Sequence, residues 1–233
     1  MPSFSKTNRL KIAFKLNEDS LLELHKLLNG INSEEPKYSL VFKDGKRSYG
    51  LDLKNVLSQS NVKGSTITRL SSNKSHSGDD NLQIDFWNSA YSPIEYRLEV
   101  KEERNLLHYE QKVNEYCESL KPMYSFIAVS YFLQFLFLFF PIIFIVSNIN
   151  YRILGYFKII DLDIPFSVVV MPVLTGIFGW ILPKYVDRIF PAGEFEIGNG
   201  IKSSENRSWI RNSVIGVLVL GTLGSALQAM IFN

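Results

Sequence analysis

The side chains that could carry out chemistry in this chain are few and widely spaced. His25 is followed by Lys-Leu-Leu-Asn and so does not begin an HExxH zinc signature, and neither His76 nor His108 has a second ligand at metal-binding spacing. No glycine-rich phosphate loop and no GxSxG nucleophile motif is present. The single cysteine, Cys117, cannot form an internal disulfide, and no neighbouring residue would activate its thiol. We therefore predict a protein that is not an enzyme and uses no metal or cofactor.

Basic and aromatic residues occur together in the first third of the chain. Lys43, Lys46 and Arg47 cluster on one predicted hairpin, and further cations and rings follow. Cations beside aromatic rings can hold a nucleotide or a single nucleic-acid strand. The alternative is an ordinary solvated hairpin tip. The predicted ligand-binding residues are Lys43, Lys46, Arg47, Tyr49, Arg69 and Lys74, and Tyr38, Phe42 and Trp87 offer nearby rings.

The charge of this region is a point against a general nucleic-acid binder. Residues 1–121 hold 18 of the 25 Lys and Arg residues and 17 of the 23 Asp and Glu residues, so they are close to neutral. Nucleic-acid-binding domains are usually strongly basic. Only a local basic patch is consistent with this balance.

The elements that would position the patch belong to an α+β domain over residues 1–101. A helix is predicted over residues 21–30, capped by Asp19 and Ser20 and closed by Gly30. Asp44-Gly45 is a favoured tight-turn pair and predicts a hairpin. The predicted strands are Arg9–Leu16, Tyr38–Phe42, Arg47–Leu53, Ser65–Leu70, Leu82–Trp87 and Ile94–Val100.

Residues 102–122 predict a helical stalk. Its apolar residues recur at alternating spacings of three and four, which is a heptad stripe. Two and a half heptads leave two alternatives open, namely packing against the α+β domain and self-association. The stripe is Leu106, Tyr109, Val113, Tyr116, Leu120 and Met123.

Residues 123–233 predict a membrane domain of about three spans. Tyr124–Val146 is a 23-residue stretch without charge, enough for about 35 Å of helix. Pro165–Leu182 and Ser213–Phe232 are the other two candidates. The predicted fold class is therefore an α+β cytoplasmic domain followed by an α-helical transmembrane domain. The distribution of Lys and Arg places the N-terminal domain in the cytoplasm by the positive-inside rule.

Small and polar residues within these spans predict helix packing or pore lining. Gly221, Ser225 and Ala229 recur every four residues, which allows close approach of a neighbouring helix. Gln134 and Gln228 would hydrogen-bond between helices or face a water-filled path.

The stretch FPAGEFEIGNG, residues 190–200, lies between the second and third predicted spans. Phe195 and Ile197 alternate with Glu194 and Glu196, which is a short strand pattern. This strand would pair within its own small hairpin or add to a sheet of the cytoplasmic domain. The alternative is a solvated connector.

This arrangement resembles the transmembrane effectors of bacterial anti-phage defence, most closely the channel effector of the Hailong system. The resemblance lies in the FPAGEFEIGNG loop, the aromatic first span and the α+β head. It implies a multi-pass protein of the bacterial inner membrane that forms a homo-oligomer, with a tetramer expected. It also implies a cytoplasmic domain that binds a single-stranded oligonucleotide made by a partner nucleotidyltransferase.

Two functional hypotheses follow. The first is an oligomeric membrane effector, an ion channel gated by a ligand on its cytoplasmic domain and acting in abortive infection. The second is a membrane-anchored binding module that recruits a soluble protein partner. An intramembrane enzyme is the weakest alternative, because the spans contain no catalytic pair.

Overall fold

A computed structural model describes residues 4–32, 34–59, 61, 65–72, 80–89, 91–130, 187–213 and 216. The chain divides into two compact units. Unit 1 consists of Met1–Val129 and Phe190–Ser208, and unit 2 consists of Ser130–Ile189 and Trp209–Asn233. Almost all the described residues belong to unit 1, so its architecture positions the candidate site.

Unit 1 is built on a six-stranded sheet in which every pairing is antiparallel. The order across the sheet is β1-β7-β6-β5-β3-β4. A separate pair of short strands, β2 and β8, is parallel. The strands are β1 (Phe4–Leu10), β2 (Phe14–Leu16), β3 (Tyr38–Phe42), β4 (Arg47–Leu51), β5 (Ile67–Ser72), β6 (Asn81–Trp87), β7 (Ile94–Val100) and β8 (Gly193–Phe195).

Three helices contribute residues to the core on the apolar face of this sheet: α1 (Glu18–Asn29), α2 (Leu53–Leu57) and α3 (Glu103–Ser119). The described residues also form the short helix α4 (Ser125–Ala128) and a helix over residues 200–213, α5. Side chains along each strand point alternately to the two faces of the sheet. On β6, Leu82, Ile84 and Phe86 therefore point to the apolar face and pack in the core with the helices. Helix α1 starts at Glu18, earlier than predicted, because Asn17 and Ser20 form a reciprocal capping box.

The heptad stripe of α3 packs against this core. Val113, Tyr116 and Leu120 are buried with the sheet residues, and Leu106 and Tyr109 lie at the edge of the same cluster. The Tyr116 hydroxyl donates a hydrogen bond to the carbonyl of Ser20 on α1. Of the two alternatives for this stripe, the structure therefore shows packing against the α+β domain.

The FPAGEFEIGNG stretch adds a strand to this domain. β8 runs parallel to β2, with Phe14 opposite Gly193 and Leu16 opposite Phe195. The predicted short strand is thus confirmed, in the form that adds to the α+β domain.

β2 and the residue before it also form hydrogen bonds with residues 120–125. The Ala13 N–H donates to Ser125 Oγ at 2.8 Å, and the Lys15 N–H donates to the Leu120 carbonyl at 3.0 Å. β2 therefore joins residues 120–125 to residues 192–196, which are far apart in the sequence.

The predicted transmembrane domain is contradicted by the structure. Over the described ranges, no helix has both the length and the apolarity needed to cross a membrane. The described start of the first predicted span is α4, four residues long, and Tyr124, Ile127 and Ala128 are buried within unit 1. The predicted fold class is therefore wrong in its second part: the structure shows an α+β fold with a six-stranded antiparallel sheet. The predicted multi-pass location in the bacterial inner membrane is contradicted by the same finding.

The remainder of the three predicted spans lies outside the described residues. So do the residues predicted for helix packing or pore lining: Gln134, Gly221, Ser225, Gln228 and Ala229. Unit 2 is described at only a few positions, where Arg211 Nη1 donates to the Ile189 carbonyl at 3.0 Å.

Candidate ligand-binding face

The second face of the six-stranded sheet is polar. Helices α1, α2 and α3 contribute to the core on the apolar face, and the ion pairs of the polar face join residues of the sheet to one another. Arg9 pairs with Glu95, Arg97 with Glu99 and Arg69 with Asp85. An antiparallel sheet commonly has one packed and one solvated face, and this polar face is where the predicted cations and rings meet.

A row of side chains crosses four strands on this face. Trp87 on β6 lies opposite Arg69 on β5, Arg69 lies opposite Val41 on β3, and Val41 lies opposite Arg47 on β4. Directly opposed residues of adjacent strands point to the same face. Three inter-strand spacings of about 4.8 Å give the row a length of about 14 Å. We call Trp87, Arg69, Val41 and Arg47 the basic–aromatic row.

Arg69 is held in place within this row. Its guanidinium carbon lies 3.8 Å from the centre of the Trp87 ring. Its Nε and Nη2 donate to Asp85 Oδ1 at 3.3 and 2.9 Å. The carboxylate side chain of Asp85 is 13% exposed and that of Arg69 is 33% exposed. The result is a planar cation, stacked on an indole and fixed by a carboxylate, at the surface of an open sheet.

The hairpin tip extends the row with further positive charge. Gly45 has φ +85°, which a turn at Asp44-Gly45 requires. The Lys46 N–H and the Ser65 hydroxyl both donate to the Asp44 carboxylate, and these bonds, the backbone one above all, hold its pKa below the ordinary value. Asp44 thus serves the turn, and Lys43 and Arg47 form no ion pair with any residue in the described ranges.

The predicted ligand-binding residues are distributed in three ways. Arg69 and Arg47 lie in the basic–aromatic row, Lys43 and Lys46 lie at the adjacent tip, and Tyr49 lies on β4 with 67% of its surface exposed. Lys74 lies outside the described residues. Of the rings considered with them, Tyr38 and Phe42 are buried in the core and cannot stack on a ligand.

One residue of the site was missed by sequence reasoning. Asp85 fixes Arg69, yet nothing marks it as functional in the sequence IDFW. Its alternation with Ile84 and Phe86 placed it on the polar face, which was an available signal. Its partner could be found only from the register between β5 and β6.

A second polar cluster missed from the sequence lies around Glu194. The side chain of this β8 residue is fully buried, and its Oε2 accepts hydrogen bonds from the Tyr124 hydroxyl at 2.9 Å and the Ser204 hydroxyl at 3.3 Å. Arg207 Nε lies 3.2 Å from Oε1, an ion pair whose angles do not meet those of a hydrogen bond. We call these four residues the Glu194 cluster. It joins β8 to α4 and α5 and holds the FPAGEFEIGNG stretch in unit 1.

Of the remaining candidates, Cys117 is buried in the core, His25 is half-buried beside Tyr38, His108 is exposed, and His76 lies outside the described residues. His25 Nδ1 lies 3.0 Å from the Tyr38 hydroxyl, and burial raises the pKa of Tyr38. Burial also raises the pKa of Cys117 to about 12, which makes its thiol a poor nucleophile. Throughout the part of the chain that the structure describes, no three His, Cys, Asp or Glu side chains are grouped to hold a metal ion.

Comparisons with known proteins give no family for the chain. No protein-family model, no curated protein and no solved structure matches it.

Proposed function

We propose that this protein is a binding module, without enzymatic activity, that takes a short single-stranded oligonucleotide on the polar face of its sheet. The observation that carries the proposal is the basic–aromatic row, in which the stacked pair Trp87–Arg69 and the exposed Arg47 lie in line across four strands. The membrane channel that the sequence predicts depends on the predicted spans and is not part of this proposal.

The row offers the two contacts that single-strand binding needs. A flat surface of indole and guanidinium takes the face of a nucleobase, and base–aromatic stacking contributes about 1–3 kcal/mol per base. The cations of the hairpin tip take the phosphates, whose negative charge supplies most of the non-specific affinity. The stacking surface and the positively charged groups are thus adjacent, within the length of about 14 Å of the basic–aromatic row.

The carboxylates of the face limit what else could bind. Arg9, Arg97 and Arg69 each have an acidic partner within 3.1 Å, so their charges are largely compensated. Lys43 and Arg47, at one end of the sheet, have no such partner among the described residues. This pattern favours a short strand that engages one end of the sheet over a long duplex that needs a broad basic surface.

The test is a binding titration with a fluorescein-labelled single-stranded DNA of mixed sequence, about ten nucleotides long, at low salt. The variant K43A/R47A removes both cations near the tip. The matched control is R97A, which removes an arginine from the same polar face, two strands beyond β5, where Glu99 pairs with it.

We expect K43A/R47A to weaken binding about tenfold or more, since each lost phosphate contact removes an electrostatic contribution. We expect R97A to bind within about twofold of the unaltered protein, because its charge is already compensated by Glu99. The proposal fails if the unaltered protein does not bind the oligonucleotide, or if both variants lose affinity equally. Binding of a soluble protein by the same face would then be the better description.

A further inference from the structure

Strand β8 lies against the end of β6 that carries Trp87. A Cβ built on Gly193 would come within 3.1 Å of the Trp87 carbonyl oxygen and 2.5 Å of the Phe14 ring. Phe14 in turn stacks edge-on with Phe86, the residue before Trp87, and with Phe195 on β8. The backbone of Gly193 therefore fits closely under the residue whose side chain forms one end of the basic–aromatic row.

Asn61 joins the same strand to the beginning of β5. Its Nδ2 donates to the Phe195 carbonyl at 2.8 Å, and its Oδ1 accepts from the Ile67 N–H at 2.9 Å. Asn61 is buried and has φ +42°, a left-handed conformation that asparagine tolerates better than most residues. One side chain thus connects β8 to the strand that carries Arg69 two residues later.

β8 therefore contacts both strands that carry the stack. It lies against the end of β6, which carries Trp87, and Asn61 links it to the start of β5, which carries Arg69. We propose that β8 positions the Arg69–Trp87 stack, so that ligand binding to the basic–aromatic row and formation of the β2–β8 pair stabilise each other. Asn61 and Gly193 are positioning residues in this scheme. Its ligand-dependent part rests on the proposed function.

The coupling is reciprocal on thermodynamic grounds. If a paired β8 aligns the stack and so raises affinity for ligand, then bound ligand must strengthen the pairing by the same factor. The hydrogen bonds that would respond are those from Phe14 N–H to the Ala192 carbonyl and from Glu196 N–H to the Leu16 carbonyl, at 3.0 and 2.8 Å. Residues 13 and 15 also form hydrogen bonds with residues 120–125. A change in the β2–β8 pairing would therefore affect residues on both sides of 131–186 in the sequence.

The test uses Asn61→Asp in the full chain. An aspartate keeps an oxygen for the Ile67 N–H but loses the donor to Phe195, so it cuts the link to β8 and spares the link to β5. The control is Glu196→Gln, which removes the ion pair between Glu196 and Lys15 in the same stretch without touching Asn61. If N61D does not fold, Asn61→Gly replaces it, because glycine accepts the positive φ. This variant removes both side-chain bonds and so tests the whole connection between β8 and β5.

Two measurements are made with the oligonucleotide described above. We expect N61D to weaken binding about 2- to 30-fold, the range of coupling through residues that do not contact the ligand, and E196Q to leave it unchanged. We also expect the oligonucleotide to slow hydrogen exchange at the Phe14 and Glu196 amides in the unaltered protein. Unchanged affinity in N61D together with unchanged exchange overturns the coupling and leaves the proposed function intact.

A third measurement needs no ligand. With Trp180 and Trp209 replaced by phenylalanine, Trp87 is the only indole of the three in the chain, and acrylamide quenching of its fluorescence reports how well Arg69 covers it. We expect N61D to raise the quenching constant above that of E196Q. If the oligonucleotide binds no form of the protein, the proposed function fails, and the quenching measurement alone then tests the positioning role of β8. Equal quenching in N61D and E196Q overturns that role.

Discussion

The guanidinium of Arg69 lies over the ring of Trp87, its opposed neighbour across β5 and β6, with 3.8 Å between the guanidinium carbon and the centre of the ring. A cation over an indole face contributes from about 0.5–1 kcal/mol at exposed sites to about 2 kcal/mol when desolvated. Asp85 fixes the same guanidinium by two hydrogen bonds. The pair is therefore ordered before any ligand arrives, which lowers the entropy lost on binding.

Replacing Arg69 by lysine tests whether the planar shape of this side chain matters as well as its charge. R69K keeps a positive charge but loses the planar guanidinium, which stacks on rings and forms bidentate hydrogen bonds in a way that an ammonium group does not. We expect R69K to lose about as much oligonucleotide affinity as R69A, roughly five- to tenfold, by removal of part of the stacking energy. Fluorescence anisotropy measures both. If R69K instead binds like the unaltered protein, the arginine acts only through its charge.

Salt dependence reports how many phosphates the hairpin tip contacts. For single strands, the logarithm of the binding constant falls with the logarithm of the salt concentration by about 0.7 for each phosphate contact. We expect K43A/R47A to make this slope shallower by about 1.4, since two contacts are removed. Titrations at several salt concentrations between about 50 and 200 mM measure it. An R97A slope equal to that of K43A/R47A would contradict the assignment.

The buried thiol of Cys117 predicts how stability changes at high pH. Burial raises the pKa of this thiol from 9.0 to about 12, so the unfolded chain releases the proton first. Between those two values the folded state binds more protons, and stability falls as the pH rises. Burial raises the pKa of Tyr38 and Tyr116 as well, which acts in the same direction.

The measurement for Cys117 is urea unfolding between pH 8 and pH 10.5, compared between the unaltered protein and C117A. We expect a shallower fall in C117A, because one of the titrating groups is gone. Alkylation by iodoacetamide gives a second check: at pH 8 the thiolate fraction of the folded protein is about 1000-fold lower than that of an ordinary cysteine. Rapid alkylation of the folded protein would contradict the burial.

Local sequence patterns predicted most strands of the sheet but not how they connect. The alternating patterns predicted β3 and β7 with their observed bounds and β6 to within one residue. The predicted strand Arg9–Leu16 is wrong: β1 runs from Phe4 to Leu10, and β2 covers only Phe14–Leu16. Between them, the Ala13 N–H is bonded to Ser125, 112 positions away. Local alternation contains no information on a partner at that distance.

The same limit applies to the site and to the predicted spans. Arg69 and Trp87 were both recognised as site candidates, but their stacking and the role of Asp85 depend on the register between two strands. An uncharged run shows only that side chains avoid water. Tyr124, Ile127 and Ala128 avoid it by burial within unit 1, and hydropathy alone cannot distinguish a protein core from lipid.

The Glu194 cluster offers a test of what holds the FPAGEFEIGNG stretch in place. The Glu194 side chain is fully buried, and Arg207, whose side chain is 27% exposed, is its cationic partner. Removing one partner of such a pair leaves a buried charge without compensation, which is more costly than removing both. We expect R207A to destabilise the protein by about 2–3 kcal/mol, less than the roughly 3–5 kcal/mol of a fully buried pair because Arg207 is partly exposed.

The double variant E194Q/R207A distinguishes this charge effect from lost packing. A glutamine at position 194 is neutral and can still accept hydrogen bonds from Tyr124 and Ser204, so the double variant should be more stable than R207A alone by about 1 kcal/mol or more. Urea unfolding of the four members of the cycle measures the difference. If R207A and the double variant are equally destabilised, Arg207 stabilises β8 through the packing of its aliphatic stem, and the charge of Glu194 does not decide the stability of this stretch.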